Sequence, residues 1–147
     1  MQHRKRWMFV IVLIIIALSL SACSTPNAEA TSEEPAIVEA LDGSEYNRVT
    51  LSAKAAERLD IQTEPVFEEL VDGTQWLVVP YAALLYGNNG ETWVYVGSEA
   101  LTYVRQPVTV EYIDGEKAFL VDGPALGSEV VTVGGAELYG ADTGVGK

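Results

Sequence analysis

Cysteine, histidine and methionine are nearly absent from this chain. The one cysteine (Cys23), the one histidine (His3) and both methionines (Met1, Met8) all lie within the first 23 residues. Residues 24–147 therefore offer no imidazole, thiol or thioether. That excludes from them histidine-based acid–base catalysis, Ser-His-Asp or Cys-His nucleophilic sites, and zinc or copper held by nitrogen or sulfur. Carboxylates remain, but neighbours in the pairs Glu33-Glu34 and Glu68-Glu69 would point to opposite faces of a strand. No segment has the alternating Asp/Asn and Gly of a calcium loop. Neither enzyme activity, a metal nor a cofactor is expected.

Lysine and arginine are scarce as well, nine against 21 Asp+Glu. Nucleic acid and anionic lipid headgroups would both be repelled, so neither is expected as a partner. The acids are scattered and not blocked, which reads as a solvated acidic surface.

What the amino end does have is a basic head (His3, Arg4, Lys5, Arg6) followed by an apolar run from Trp7 to Leu20. A membrane-spanning helix is the alternative reading, but the run is only about 14 to 16 residues, short of the ~20 a span needs. The small residues Ser21 and Ala22 suit a cleavage site. The stretch Leu20-Ser21-Ala22-Cys23 resembles the bacterial lipoprotein signal at every position. The resemblance implies residues 1–22 as a signal peptide, cleavage before Cys23, and a diacylglycerol, with palmitate-type chains, on that cysteine's sulfur. Two or three acyl chains hold a protein where one does not, each buried methylene contributing about 0.8 kcal/mol. The expected location is the cell envelope, anchored on the extracytoplasmic side. Ser24 in place of Asp points to the outer membrane in a two-membrane cell, and to the outer leaflet of the plasma membrane in a one-membrane cell. Cleavage removes three bases and no acids, leaving six bases against 21 acids, a net charge of −15.

Residues 23–42 are small, polar and acidic and read as a flexible tether, with a reach of roughly 25 Å. Residues 43–142 suffice for one core but not two. Within them Arg48–Leu51 alternates, Ser52 is placed to cap a short helix over Ala53–Leu59, and Ile61–Phe67 is extended, with Pro65 favouring an edge or irregular spot. Trp76–Pro80 and Thr92–Val96 read as the arms of a hairpin around Asn88-Asn89-Gly90. Further strands are predicted at Tyr103–Val104, Val108–Tyr112, Lys117–Val121 and Glu129–Val133, with turns at Asp114-Gly115 and Asp122-Gly123-Pro124. The pattern predicts a mainly β fold, a small barrel or roll with one short helix, behind a signal helix and a disordered tether. Trp76, Trp93, Tyr95, Tyr103 and Phe119 are assigned to packing. Gly140, Gly144 and Gly146 mark the carboxyl end as frayed, with residues 143–147 a flexible tail.

Three stretches together resemble the periplasmic adaptor (membrane fusion protein) family of tripartite efflux pumps, especially adaptors of RND transporters. They are Val49–Ser52 with Arg58–Val66, Val79–Tyr86 with Gly90–Val96, and Arg105–Val110 with Asp122–Leu138. In the first, family members carry Gly where this chain has Asp60. The resemblance implies the membrane-proximal domain, a β-roll that docks on the transporter. Such proteins normally insert a second barrel, a lipoyl-like domain and a helical hairpin between the first two stretches. Here only Phe67–Leu77 bridges them, and no heptad pattern is present. The implied role is a non-catalytic, lipid-anchored accessory module of an RND or ABC-type exporter, with Tyr86, Asn88, Asn89, Glu91 and Tyr139 as exposed loop positions for partner contact. The alternative is an envelope binding or sensor lipoprotein for a peptide, glycan or small ligand.

Overall fold

The computed structural model describes residues 34–144, which are mainly β as the pattern predicts. The chain runs β1 (Ala36–Ala40), β2 (Asn47–Leu51), α1 (Ala53–Leu59), β3 (Gln62–Pro65), β4 (Phe67–Val71), β5 (Thr74–Pro80) and a 3-10 turn (Tyr81–Ala83). It continues through β6 (Leu85–Tyr86), β7 (Thr92–Glu99), β8 (Thr102–Pro107), β9 (Thr109–Asp114), β10 (Lys117–Asp122), β11 (Glu129–Val133) and α2 (Gly135–Thr143). The strands form two sheets that do not close into a barrel. One has the order β1-β2-β8-β7-β11-β3 with β6 paired to the start of β7, and the other the order β4-β5-β10-β9.

Prolines mark every passage between the sheets. The chain leaves the larger sheet after Pro65, returns after Pro80, leaves again after Pro107 and returns past Pro124. Proline has no N–H to give a ladder, so pairing stops there and the next residue is free to turn. At two of the passages that residue is a buried valine, Val66 and Val108, whose backbone N–H donates to Ser128 and Thr92 carbonyls. The same device corrects the expected hairpin. Trp76–Pro80 does not pair with Thr92–Val96, because Pro80 sends the chain to the other sheet; β5 pairs with β4 and β10. The hairpin at Asn88-Asn89-Gly90 has Leu85 and Tyr86 as its first arm.

Between the sheets lies an apolar core of Val66, Val79, Ala83, Leu84, Val94, Val108, Ala118, Leu120 and Val130. A second core of Val49, Leu51, Tyr95, Tyr103, Val131 and Leu138 lies on the other face of the larger sheet, under the two helices. Strand alternation explains the split, since neighbours such as Val94 and Tyr95, or Val130 and Val131, point to opposite faces. The result is three layers, with the larger sheet in the middle.

Ser52 caps α1 as expected, its hydroxyl accepting from the Ala55 N–H at 3.2 Å. Ser52→Ala should therefore lower stability by about 1 kcal/mol, read as a shift in urea midpoint at unchanged slope. Asp60 ends the helix in the left-handed region (φ 49), its N–H returning to the Ala56 and Glu57 carbonyls. That conformation favours glycine, the residue the adaptor pattern has there.

Two further expectations change. Residues 36–40 of the expected tether form β1, which pairs with β2 along its whole length, and the described residues 34–144 belong to one compact unit. Ile37 is exposed and only Ala36 and Val38 turn partly inward, so the strand is held more by its ladder to β2 than by buried apolar surface. The carboxyl end is a second helix in place of a frayed tail up to Thr143, because Leu138 inserts fully into the second core. The short bridge Phe67–Leu77 lies in a β4–β5 hairpin whose two-residue turn, Asp72-Gly73, has positive φ at both positions (50 and 79). The expected signal peptide, Cys23, the first part of the expected tether and residues 145–147 of the expected tail lie outside the described residues.

Candidate functional site

Asp142, near the end of α2, is the centre of the most developed polar cluster. Its side chain is fully buried. One carboxylate oxygen accepts from Asn47 Nδ2 at 2.8 Å, and the other from the Tyr95 hydroxyl at 2.8 Å. The Arg105 Nε lies 3.3 Å from that second oxygen, an ion pair whose N–H is not aimed well enough for a hydrogen bond. Four elements thus converge: β2 supplies Asn47, β7 Tyr95, β8 Arg105 and α2 Asp142.

Aromatic rings enclose the cation. The Arg105 guanidinium lies 5.0 Å from the Trp93 ring centroid, 5.1 Å from Tyr46 and 5.5 Å from Tyr139. Trp93 and Tyr139 stack at 5.6 Å. Trp93 on β7 and Arg105 on β8 are diagonal neighbours on adjacent strands, where Tyr95 pairs with Arg105 and Trp93 with Pro107. Planar stacking of this kind suits guanidinium better than ammonium. The Trp93 indole N–H is buried without a partner.

Burial, and then the hydrogen bond to Asp142, push the Tyr95 phenol far above its ordinary value of 10.0. Burial raises Tyr103 as well. A phenol that resists ionisation in the folded state stabilises the fold fully below the unfolded value and loses that contribution as pH rises beyond it. Stability should hold between pH 7 and 9 and fall above about pH 10, with Tyr95→Phe showing a shallower fall. Denaturant midpoints measured across that range check both statements.

The expected contact residues divide. Tyr86 is exposed on β6, Asn88 and Asn89 sit in the turn, and Glu91 precedes β7, so these four share one hairpin. Glu91 accepts a long hydrogen bond from Asn89 Nδ2 at 3.4 Å. Tyr139 is not a loop position. It is half-buried on α2, stacked on Trp93 and facing Arg105. Of the packing aromatics, Trp93, Tyr95, Tyr103 and Phe119 are buried, and Trp76 is half-buried with its edge to Tyr112 at 5.7 Å. Sequence reading missed Tyr46, Asn47, Arg105 and Asp142. One signal was present: Arg105 is a lone cation inside an otherwise uncharged strand, Thr102–Pro107.

Among the described residues no three His, Cys, Asp or Glu side chains gather as metal ligands, and no helix is long and apolar enough to cross a membrane. Comparison with protein families, curated proteins and solved structures finds no match.

Proposed function

We propose that this chain is a non-catalytic envelope protein, lipid-anchored through Cys23, that acts as an accessory or adaptor-like module of a membrane efflux transporter. One observation carries the reading. The three stretches that resemble the adaptor family fold together into a single body, with β3 of the first stretch paired to β11 of the third, and β7 of the second lying between β8 and β11. A domain assembled from both ends of its sequence is what that resemblance implies. The tight β4–β5 hairpin supplies no reach towards a distant channel, so the module would touch the transporter and not bridge from it. The exposed Tyr86, Asn88, Asn89 and Glu91 hairpin is the proposed contact. Co-purification of the tagged protein with RND or ABC permeases tests the reading. Recovery no better than from a Cys23→Ala control sinks it.

A second reading, an envelope binding or sensor protein for a peptide, glycan or small ligand, is favoured by the outer edges of β3, β4 and β9. Each ends its sheet, and β3 is exposed at all four residues. Such edges can accept an added strand. A rise in melting temperature with ligand, in the absence of any transporter, would distinguish it.

A further inference from the structure

Beside the ring-enclosed Arg105 lies a cleft of about 350 Å³, lined by Glu45, Tyr46, Glu91, Thr92, Trp93, Arg105 and Pro107. That volume is at the lower end of small-molecule sites, ~300–1,000 Å³. Its polar groups are left unspent in an unusual way. Arg105 gives its Nε side to Asp142, and no hydrogen bond among the described residues engages its two terminal nitrogens. Glu45 and Glu91 are exposed in the same cleft, yet neither comes within ion-pair distance of Arg105. Glu45 has no side-chain partner among the described residues, and Glu91 has only the long contact from Asn89. Donors of fixed positive charge and acceptors of negative charge thus face one space without meeting.

A ligand of one sign does not satisfy this arrangement. An anion on Arg105 would meet two carboxylates at the rim, and a cation between those carboxylates would meet the guanidinium. A ligand carrying both charges satisfies both ends. We infer that the cleft binds a small zwitterion, a free amino acid or an unblocked short peptide, with its carboxylate on the Arg105 terminal nitrogens and its ammonium at Glu45 and Glu91. Arg105 is prepared for this. Three rings and the Asp142 carboxylate surround it, so little freedom is lost when a carboxylate arrives. Tyr46 and Trp93 offer apolar walls to the ligand's carbon atoms. Glu91 is shared with the proposed transporter contact, but the inference does not rest on the export-complex reading, and either can fail without the other.

The test is a titration of the full-length chain in detergent micelles with L-alanyl-L-alanine, followed by NMR. Saturable shifts at the backbone amides of Tyr46, Trp93 and Arg105 and at the Trp93 indole are expected. N-acetylated and carboxyl-amidated Ala-Ala should each bind about tenfold more weakly, because each loses one charge-assisted contact. Acetate and ethylamine, the two separated halves, should produce no saturable shift at millimolar concentration. The Glu45→Gln/Glu91→Gln protein, altered only at exposed positions, should keep its melting temperature and lose affinity for the dipeptide about tenfold. Equal binding of the blocked and free peptides would overturn the inference, as would unchanged affinity in the double variant. So would the absence of saturable shifts with the dipeptide while the folded spectrum is intact.

Discussion

An Asp142→Ala protein is expected to unfold with about 3–5 kcal/mol less free energy than the parent, a drop of roughly 10–20 °C in melting temperature for a domain of this size. The figure is large because of what the substitution leaves behind. Arg105 keeps its charge with its side chain only 15% exposed, and the Tyr95 hydroxyl and Asn47 amide lose their acceptor. A buried charge without its partner costs far more than the pair contributes. Replacing both charges should therefore cost less than removing the carboxylate alone. Asp142→Leu with Arg105→Met restores apolar packing beneath Trp93, though Tyr95 and Asn47 still lack their acceptor. Thermal and urea unfolding of both proteins decide the matter. A loss under about 0.5 kcal/mol in Asp142→Ala would show that the carboxylate does not anchor α2.

The second large effect concerns the two cores. Leu120→Ala and Leu138→Ala should each cost about 2–5 kcal/mol, since both side chains are almost wholly buried (2% and 0% exposed). Leu120 belongs to the core between the sheets, Leu138 to the core under the helices. The larger sheet lies between them, and layers pack about 10 Å apart. Their costs should accordingly add to within about 0.5 kcal/mol in the double variant. A markedly smaller sum would mean that α2 unfolds by itself before the sheets do. A two-step melting curve for Leu138→Ala would carry the same message.

Legibility from sequence followed the physics of each element. Strands with strong β-branched and aromatic content, such as Trp93–Val96 and Glu129–Val133, were visible because two-sided burial leaves an apolar run. The Ser52 cap and the following alanines marked α1. The prolines were visible as interruptions, but not as passages between sheets, because a sequence shows where pairing stops and not where the chain goes next. β1 was hidden because its five residues follow a small, polar and acidic stretch, and α2 was hidden by glycines at Gly135 and Gly140 inside it. The Arg105–Asp142 pair was hidden more deeply. Its members belong to a strand and a helix some thirty-seven residues apart, and only the packing of α2 against β1, β2 and β7 brings them together.

That packing also bears on how the strands find their alignment. In β7 a slip of one residue would send Tyr95 into the space between the sheets and Val94 under the helices. The space between the sheets is lined by apolar side chains and offers the phenol no carboxylate, while Asp142 would close down on a valine that cannot donate to it. Misaligned pairing therefore leaves the chain's last helix with nowhere to seat its acid. An acid on α2 thus favours one alignment of a strand some forty-seven residues earlier, the one that sets a phenol beneath it.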